Sequence, residues 1–320
     1  MPSARSLVVV IGTGGTIAGT APDPRRHVGY KAGALAADAL IASVPSLQGQ
    51  PLEVESLAQL DSCDMDHATW LRLGLAVQRH LARREVAGVV ISHGTDTLEE
   101  TALFLHLTLA AAKPVVLTAA MRPATAASPD GPQNLVDAVS VARLLGARGV
   151  VAVLGGQVFA GSELRKVHGY RLDAFSGGDA PPLALLQNGQ LRAFRPWPEA
   201  APVHAAALTS DPTRWPVVDI VTSHAGARAQ TLDALVAAGA HGIVIAGTGN
   251  GSVHAELLAA ALRAQQRGVV VRRASRCLLG GVVDGALSAL PSAGALTPAQ
   301  ARLQLMLELL AGASSAAPRP

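Results

Sequence analysis

Five short segments read as buried strands: 6–11, 86–91, 114–117, 149–153 and 242–246. Each is rich in apolar and β-branched residues, and each gives way to a Gly-rich or polar turn. Runs without polar alternation are what a parallel strand covered on both faces requires, because neither face meets water. Between and after them lie helical patterns, over 32–42, 69–82, 98–112, 134–145, 231–238 and 254–267. Strand and helix alternate, which predicts an α/β fold. The expected architecture is a larger N-terminal domain with a mainly parallel sheet flanked by helices, plus a smaller C-terminal α/β domain with its own parallel sheet.

The pattern lapses where Pro196, Pro198, Pro202, Pro212 and Pro216 fall close together. Clustered prolines mark irregular backbone, so the expected division is 1–195, a linker at 196–215, and 216–320. The Ala/Ser/Pro-rich tail from Ala311 is expected to fray.

Composition narrows the function. The chain is 49% hydrophobic and 15% charged, enough apolar mass for a sizeable core and too little charge for a disordered chain. Lys and Arg exceed Asp and Glu by only three, and Lys occurs only at Lys31, Lys113 and Lys166. The basic residues are scattered and aromatics are few, whereas nucleic-acid binding needs a basic stripe with stacking aromatics. No nucleic-acid partner is expected. Nor is a membrane, since no run of about 18 apolar residues occurs. The first six residues lead straight into the first predicted strand, which cleavage there would destroy, so a cytoplasmic location is expected. Cys63 and Cys277 are too few for a zinc site and read as reduced thiols.

Ligands in open α/β sheets bind beyond the carboxyl ends of the strands, so the loops after the predicted strands carry the candidate chemistry. The first strand ends in Gly12-Thr13-Gly14-Gly15-Thr16-Ile17-Ala18-Gly19. Ile17 stands where a dinucleotide fingerprint needs its third glycine, and no Gly-Lys-Ser/Thr completes a phosphate loop. Either the glycines merely let the chain turn, or closely approaching backbone presents threonine hydroxyls to a ligand. A threonine serves as nucleophile when something takes its proton. The second strand ends in Ser92-His93-Gly94-Thr95-Asp96-Thr97-Leu98-Glu99-Glu100. A capping box would explain Thr97 and Glu100, but not Thr95 and Asp96 in the mouth of the sheet. His93 reads as a prop for that turn.

These two motifs, with Ala120-Met121-Arg122-Pro123, Asp130-Gly131-Pro132-Gln133-Asn134-Leu135, the stretch from Gly161 to Lys166, and Ala246-Gly247-Thr248-Gly249-Asn250-Gly251, resemble the bacterial-type L-asparaginase family. The likeness runs in order through nearly the whole chain. It implies hydrolysis of the side-chain amide of L-asparagine to L-aspartate and ammonia, without metal or organic cofactor. By the same resemblance Thr16 is the nucleophile, and Thr95, Asp96 and Lys166 form a second catalytic group. Ser62 is expected to hold the substrate α-carboxylate, Asp96 its α-amine, and the Ala120 backbone its amide. A homotetramer built as a dimer of dimers is also implied, with Asn250 and Ser252 in a loop that completes a neighbouring subunit's pocket.

Three departures from the family pattern stand out. Relatives place a tyrosine soon after the nucleophile; local spacing puts Arg26 there, and Tyr30 becomes the candidate proton relay. Cys63 stands where many relatives carry a polar group contacting the substrate amine, and a thiol is a poor partner for an ammonium. The stretch 279–284 is short, so the acidic residue that often follows is not evident and Asp284 is a doubtful substitute. Two other readings stay open: a glutaminase-asparaginase of mixed specificity, and a catalytically silent amino-acid-binding homologue.

Overall fold

In this computed structural model, which describes residues 7–25, 28–199, 202–285 and 288–316, the chain divides into two units, one up to Leu208 and one from Thr209. The first contains β1 (Leu7–Gly14), α1 (Ala37–Ala42), β2 (Leu52–Leu60), α2 (His67–Leu81), β3 (Val86–Ser92), α3 (Leu98–Thr108) and β4 (Val115–Thr118). It continues with α4 (Gly131–Ala142), β5 (Val150–Leu154), β6 (Gln157–Ala160), β7 (Arg165–Lys166), β8 (Phe175–Ser176), β9 (Ala184–Gln187) and β10 (Gln190–Ala193). Eight strands form one sheet in the order β10-β9-β6-β5-β4-β3-β1-β2. Its β2, β1, β3, β4 and β5 run parallel, and β6, β9 and β10 extend it antiparallel.

Pleating sends successive side chains to opposite faces. Val8, Val10, Val90, Val116, Val151 and Val153 therefore pack together with Leu40 and Ile41 of α1 and with Leu135, Ala138 and Val139 of α4. The intervening Val9, Ile11, Val89, Ile91 and Leu117 are as deeply buried and point to the other face. There α2 packs on β3 and α3 on β5, and Trp70 stacks on Phe104. Each such side chain contributes roughly 1.5–3 kcal/mol by leaving water.

Several boundaries differ from the pattern-based expectation. Helix α1 starts only at Ala37, because Gly33 adopts φ +60° and donates its N–H to Gly15 O instead of entering a helix. Helix α3 stops at Thr108, where Leu109 turns extended. Helix α4 begins three residues early, with Pro132 in its first turn. Within the proline-bearing stretch, Ala205–Thr209 and Pro212–Arg214 form 3-10 turns, and His204 N–H donates to Leu107 O.

The second unit contains β11 (Val218–Thr222), α5 (Gln230–Ala237), β12 (Gly242–Gly247), α6 (Ala255–Gln266), β13 (Val270–Ser275) and α7 (Pro298–Ala316). Its three strands are parallel with β12 central. One core joins Val221, Ile243, Ile245 and Val271 to Leu232 of α5 and Leu257, Ala260 and Ala261 of α6. Of the tail expected to fray from Ala311, the part to Ala316 is instead helical, as the end of α7, and 317–320 lie outside the described residues. That helix packs on β11 and β12, with Leu305 and Leu309 over Gly242. Among the described residues no helix is long and apolar enough to cross a membrane.

Candidate active site

Parallel register sets the candidate residues side by side. Gly14 pairs with Leu60, Gly12 with Ser92, and Ser92 with Thr118. Two residues past β1, β2 and β4 stand Thr16, Ser62 and Ala120, and three past β3 stands Thr95. The chain leaves β1 for β2 on one side and returns to β3 on the other. The carboxyl ends of β1 and β3 thus flank the switch point, where open α/β sheets leave a crevice.

Glycine lets the two threonine loops meet. Gly14 and Gly15 adopt φ +107° and +80°, a region that side chains with a Cβ rarely enter. A Cβ on Gly15 would lie 2.2 Å from Gly94 Cα, and one on Gly94 would lie 2.5 Å from Ser62 Oγ. Gly15 N–H donates to Leu60 O at 2.9 Å, and the Thr13 hydroxyl to Ser92 O at 3.1 Å. These bonds tie the glycine turn to both neighbouring strands.

Thr16 is buried, and its Oγ1 lies 2.6 Å from the Tyr30 Oη in a shared hydrogen bond. Tyr30 is held by the antiparallel bridge between Thr20 and Lys31 and by its ring edge against Gly19, where a Cβ would lie 2.9 Å from Tyr30 Cδ2. Hydrogen bonds from Ala124 N–H to Gly19 O, from Ala127 N–H to Pro24 O and from Ala21 N–H to Thr125 Oγ1 clasp this loop to the one after β4. Burial raises the Tyr30 pKa above its ordinary value, the bond to Thr16 opposes the shift, and Asp61, Asp96 and Cys63 add to it. Tyr30 is therefore a neutral phenol at physiological pH. Arg26, the position matched by spacing, lies outside the described residues.

The Lys166 Nζ donates to Thr95 Oγ1 at 2.8 Å and to Asp96 Oδ1 at 2.5 Å. At its other end the Lys166 backbone N–H donates to Glu99 Oε2 at 2.6 Å. Ser62, almost fully buried, accepts the Asp96 N–H on its hydroxyl and the Thr97 hydroxyl on its carbonyl. The Thr97 half of the expected capping box is not made: Thr97 is the N-cap of α3 but makes no side-chain cap bond, its hydroxyl having gone to Ser62. Cys63 follows in an exposed turn. Burial first, then Asp61, Asp64 and Asp96, raise its thiol pKa, so it is not a standing thiolate.

Behind the turn, Trp70 Nε1–H donates to Thr101 Oγ1, which lies 3.0 Å from His93 Nε2, while His93 Nδ1 reaches Gly94 O at 2.7 Å. Since a carbonyl only accepts, Nδ1 carries the proton; Nε2 then accepts from Thr101. Complete burial pushes the His93 pKa down to about 4. This neutral ring braces the turn carrying Thr95 and Asp96.

The Ala120 loop is aimed from below. The Asp130 carboxylate accepts the N–H groups of Met121 and Arg122, and Asn134 donates to Ala119 O while accepting from Gly155 N–H. Gly131 leaves room for Ile17, which a Cβ would meet at 2.9 Å.

Asn250 and Ser252 belong to the second unit, in the turn after β12. Asn250 Nδ2–H donates to Val283 O, and its Oδ1 accepts Val283 N–H. Ser252 bridges Thr248 through the backbone. Asp284 pairs with Arg273 and accepts from the Ser292 hydroxyl. Among the described residues no group of three or more His, Cys, Asp or Glu is placed to hold a metal ion.

Motif reading alone missed Glu99, Asp130 and Asn134 as supports. All three lie inside quoted motifs, but their task is to accept or give backbone hydrogen bonds across loops, which spacing does not reveal.

The sequence pattern described as "Asparaginase, N-terminal" matches residues 7–199, and that of the "Glutaminase/Asparaginase C-terminal domain" matches residues 217–319. The chain is 36% identical to the "Probable L-asparaginase periplasmic" of Haemophilus influenzae and 34% identical to "L-asparaginase 2" of Escherichia coli, in each case over 94% of this chain and 88% of the relative. Among solved structures, a "Probable Cytoplasmic L-asparaginase" from Campylobacter jejuni superposes with TM-score 0.89 at 36% identity, covering 96% of this chain and 95% of that one. With both family patterns matched in order, and relatives at this identity along most of its length, the chain belongs to the asparaginase family.

Proposed function

We propose that this chain is an L-asparaginase, hydrolysing the side-chain amide of L-asparagine to L-aspartate and ammonia with Thr16 as nucleophile. The observation that carries the reading is the 2.6 Å contact of the Thr16 hydroxyl with Tyr30, set beside the Thr95–Lys166–Asp96 cluster. A hydroxyl is a weak nucleophile until its proton has somewhere to go. Tyr30, a phenol and not a phenolate, acts as a relay: its Oη takes the Thr16 proton as its own hydrogen passes to the amide nitrogen of the substrate. Thr16 Oγ1 bonds to the amide carbon, the C–N bond breaks, and the nitrogen leaves as ammonia once it has gained a proton. The ester left on Thr16 is then split by water, which restores the threonine and yields aspartate.

Thr95, hydrogen-bonded by Lys166, orients the water and moves protons at that stage. Asp96 and Ser62 hold the substrate's α-amine and α-carboxylate, Cys63 lines the amine side, and Ala120 receives the amide. The N–H groups of Gly15, Ala18 and Gly19 are already given to backbone carbonyls, so stabilising the oxyanion falls to other donors of the turn. Asn250 and Ser252 complete the pocket of a neighbouring subunit in a homotetramer. The location is cytoplasmic, in keeping with two free cysteines.

The family description of the C-terminal segment favours a second reading, a glutaminase-asparaginase. The two substrates differ by one methylene, worth about 1–3 kcal/mol of discrimination by packing. Parallel ammonia release from L-asparagine and L-glutamine separates the readings. Asparagine turned over at least about tenfold faster, as kcat/KM, supports an asparaginase; equal values support mixed specificity.

A further inference from the structure

We propose that Glu99 is a positioning residue for Lys166, fixing where the ε-amine stands against Thr95. The inference rests on the functional reading above for its kinetic consequence, not for its geometry. Lys166 belongs to β7, a strand of two residues that pairs with Phe175 and Ser176 of β8. So short a ladder is a weak anchor. The Lys166 N–H is given instead to the Glu99 carboxylate at 2.6 Å, shorter than an ordinary backbone N–H bond, in the direction an anionic acceptor favours.

The other end of the same lysine is bonded to Thr95 and Asp96. Asp96 and Glu99 are three positions apart where α3 begins, so one helix end grips Lys166 at both its backbone and its amine. Helix α3 is a firm frame, with Leu98, Ala102, Phe104 and Leu105 fully buried. A negative charge in its first turn is also favoured by the helix dipole. Beyond Lys166 the chain enters a turn with Val167, Tyr170 and Leu172 exposed. Glu99 thus couples a two-residue strand, followed by an exposed turn, to a deeply buried helix beside the site. Displacing a catalytic group by about 1 Å costs on the order of 10²-fold in rate, so a bond that sets the lysine's height affects turnover more than substrate affinity.

The test uses the full chain and two readouts. The first is acylation of the Lys166 amine by acetic anhydride, read by peptide mass spectrometry; as the chain has only three lysines, Lys31 and Lys113 serve as internal references. The second is kcat and KM on asparagine. In Glu99→Ala, Lys166 labelling should rise at least about threefold relative to Lys31, and kcat should fall at least about tenfold with KM within about twofold. Glu99→Gln, which keeps a carbonyl oxygen for the Lys166 N–H, should stay within about threefold of wild type in both. If Glu99→Ala does not fold, Glu99→Asp, which withdraws the carboxylate by one methylene, provides the contrast. Unchanged labelling and kcat in Glu99→Ala overturn the proposal, as does a Glu99→Gln variant equally impaired. If wild type releases no ammonia from asparagine while the labelling contrast holds, the functional reading fails and the positioning role stands.

Discussion

The Thr16 hydroxyl and the Tyr30 phenol, fourteen positions apart in the chain, share a 2.6 Å hydrogen bond. The bond exists because the bridge between Thr20 and Lys31 folds the loop back and Gly19 leaves space for the ring. Tyr30→Phe keeps the ring and removes only the oxygen. It should lower kcat by about 10²–10⁴-fold, the range for a lost proton-transfer group, with KM and melting temperature little changed. Steady-state kinetics with a thermal melt checks this, and a near-normal kcat would remove Tyr30 from the relay.

Gly15 sets the distance between the two threonine loops. In Gly15→Ala a new Cβ would sit 2.2 Å from Gly94 Cα, at a residue with φ +80°. Neither atom can give way as a flexible side chain would. Overpacking and backbone strain each cost about 1–3 kcal/mol, so urea unfolding should show a loss of at least about 2 kcal/mol, with activity abolished.

His93 makes stability depend on pH. Its pKa is pushed down to about 4 in the folded chain from the ordinary 6.5. Between those values the unfolded chain binds a proton that the folded chain refuses. The stability this imidazole contributes is whole above 6.5 and is lost as pH falls through that value toward 4, about 3 kcal/mol in all. Urea unfolding of wild type and His93→Gln at pH 7 and pH 4.5 isolates the contribution. The stability gap between the two pH values should shrink in the variant; an unchanged gap assigns the acid sensitivity elsewhere.

Cys63 offers a thiol where the substrate amine is expected, and its proton is held on first by burial and then by nearby acids. A protonated thiol accepts hydrogen bonds poorly, whereas an amide oxygen accepts well. Cys63→Gln should therefore lower KM for asparagine about three- to tenfold, equivalent to a net hydrogen bond of roughly 1 kcal/mol. Measured kcat should stay within about twofold.

The parts of the fold legible in the sequence are those buried on both faces. β1, β3, β4, β5 and β12 announce themselves because Val8–Ile11, Val89–Ile91 or Ile243–Ile245 meet no water on either side. β2 does not, since it is the sheet edge: its Glu53 and Glu55 are half-buried against Arg83, Arg79 and His80, and its Ser56 and Gln59 are exposed. β6, β9 and β10 are short antiparallel strands, and β11 and β13 are polar enough to pass for loops. The candidate site shows the same split. Thr16, Thr95, Asp96 and Lys166 stand out as motifs, but the grip of Glu99 on Lys166 joins a helix to a distant strand, and that of Asp130 on the Ala120 loop depends on how the loop folds back on itself. Thr97 shows local reading misled: its hydroxyl had a capping role available nearby and bonded Ser62 across the site instead.

Ammonia release from L-asparagine by the purified chain and its Thr16→Ala variant, side by side, tests the nucleophile most directly. Wild type should release ammonia steadily, and the variant, folded and melting within a few degrees of wild type, should be at least about 10³-fold slower. A folded variant near the wild-type rate would contradict Thr16 as the attacking group, and silence of the wild type would contradict asparagine as the substrate.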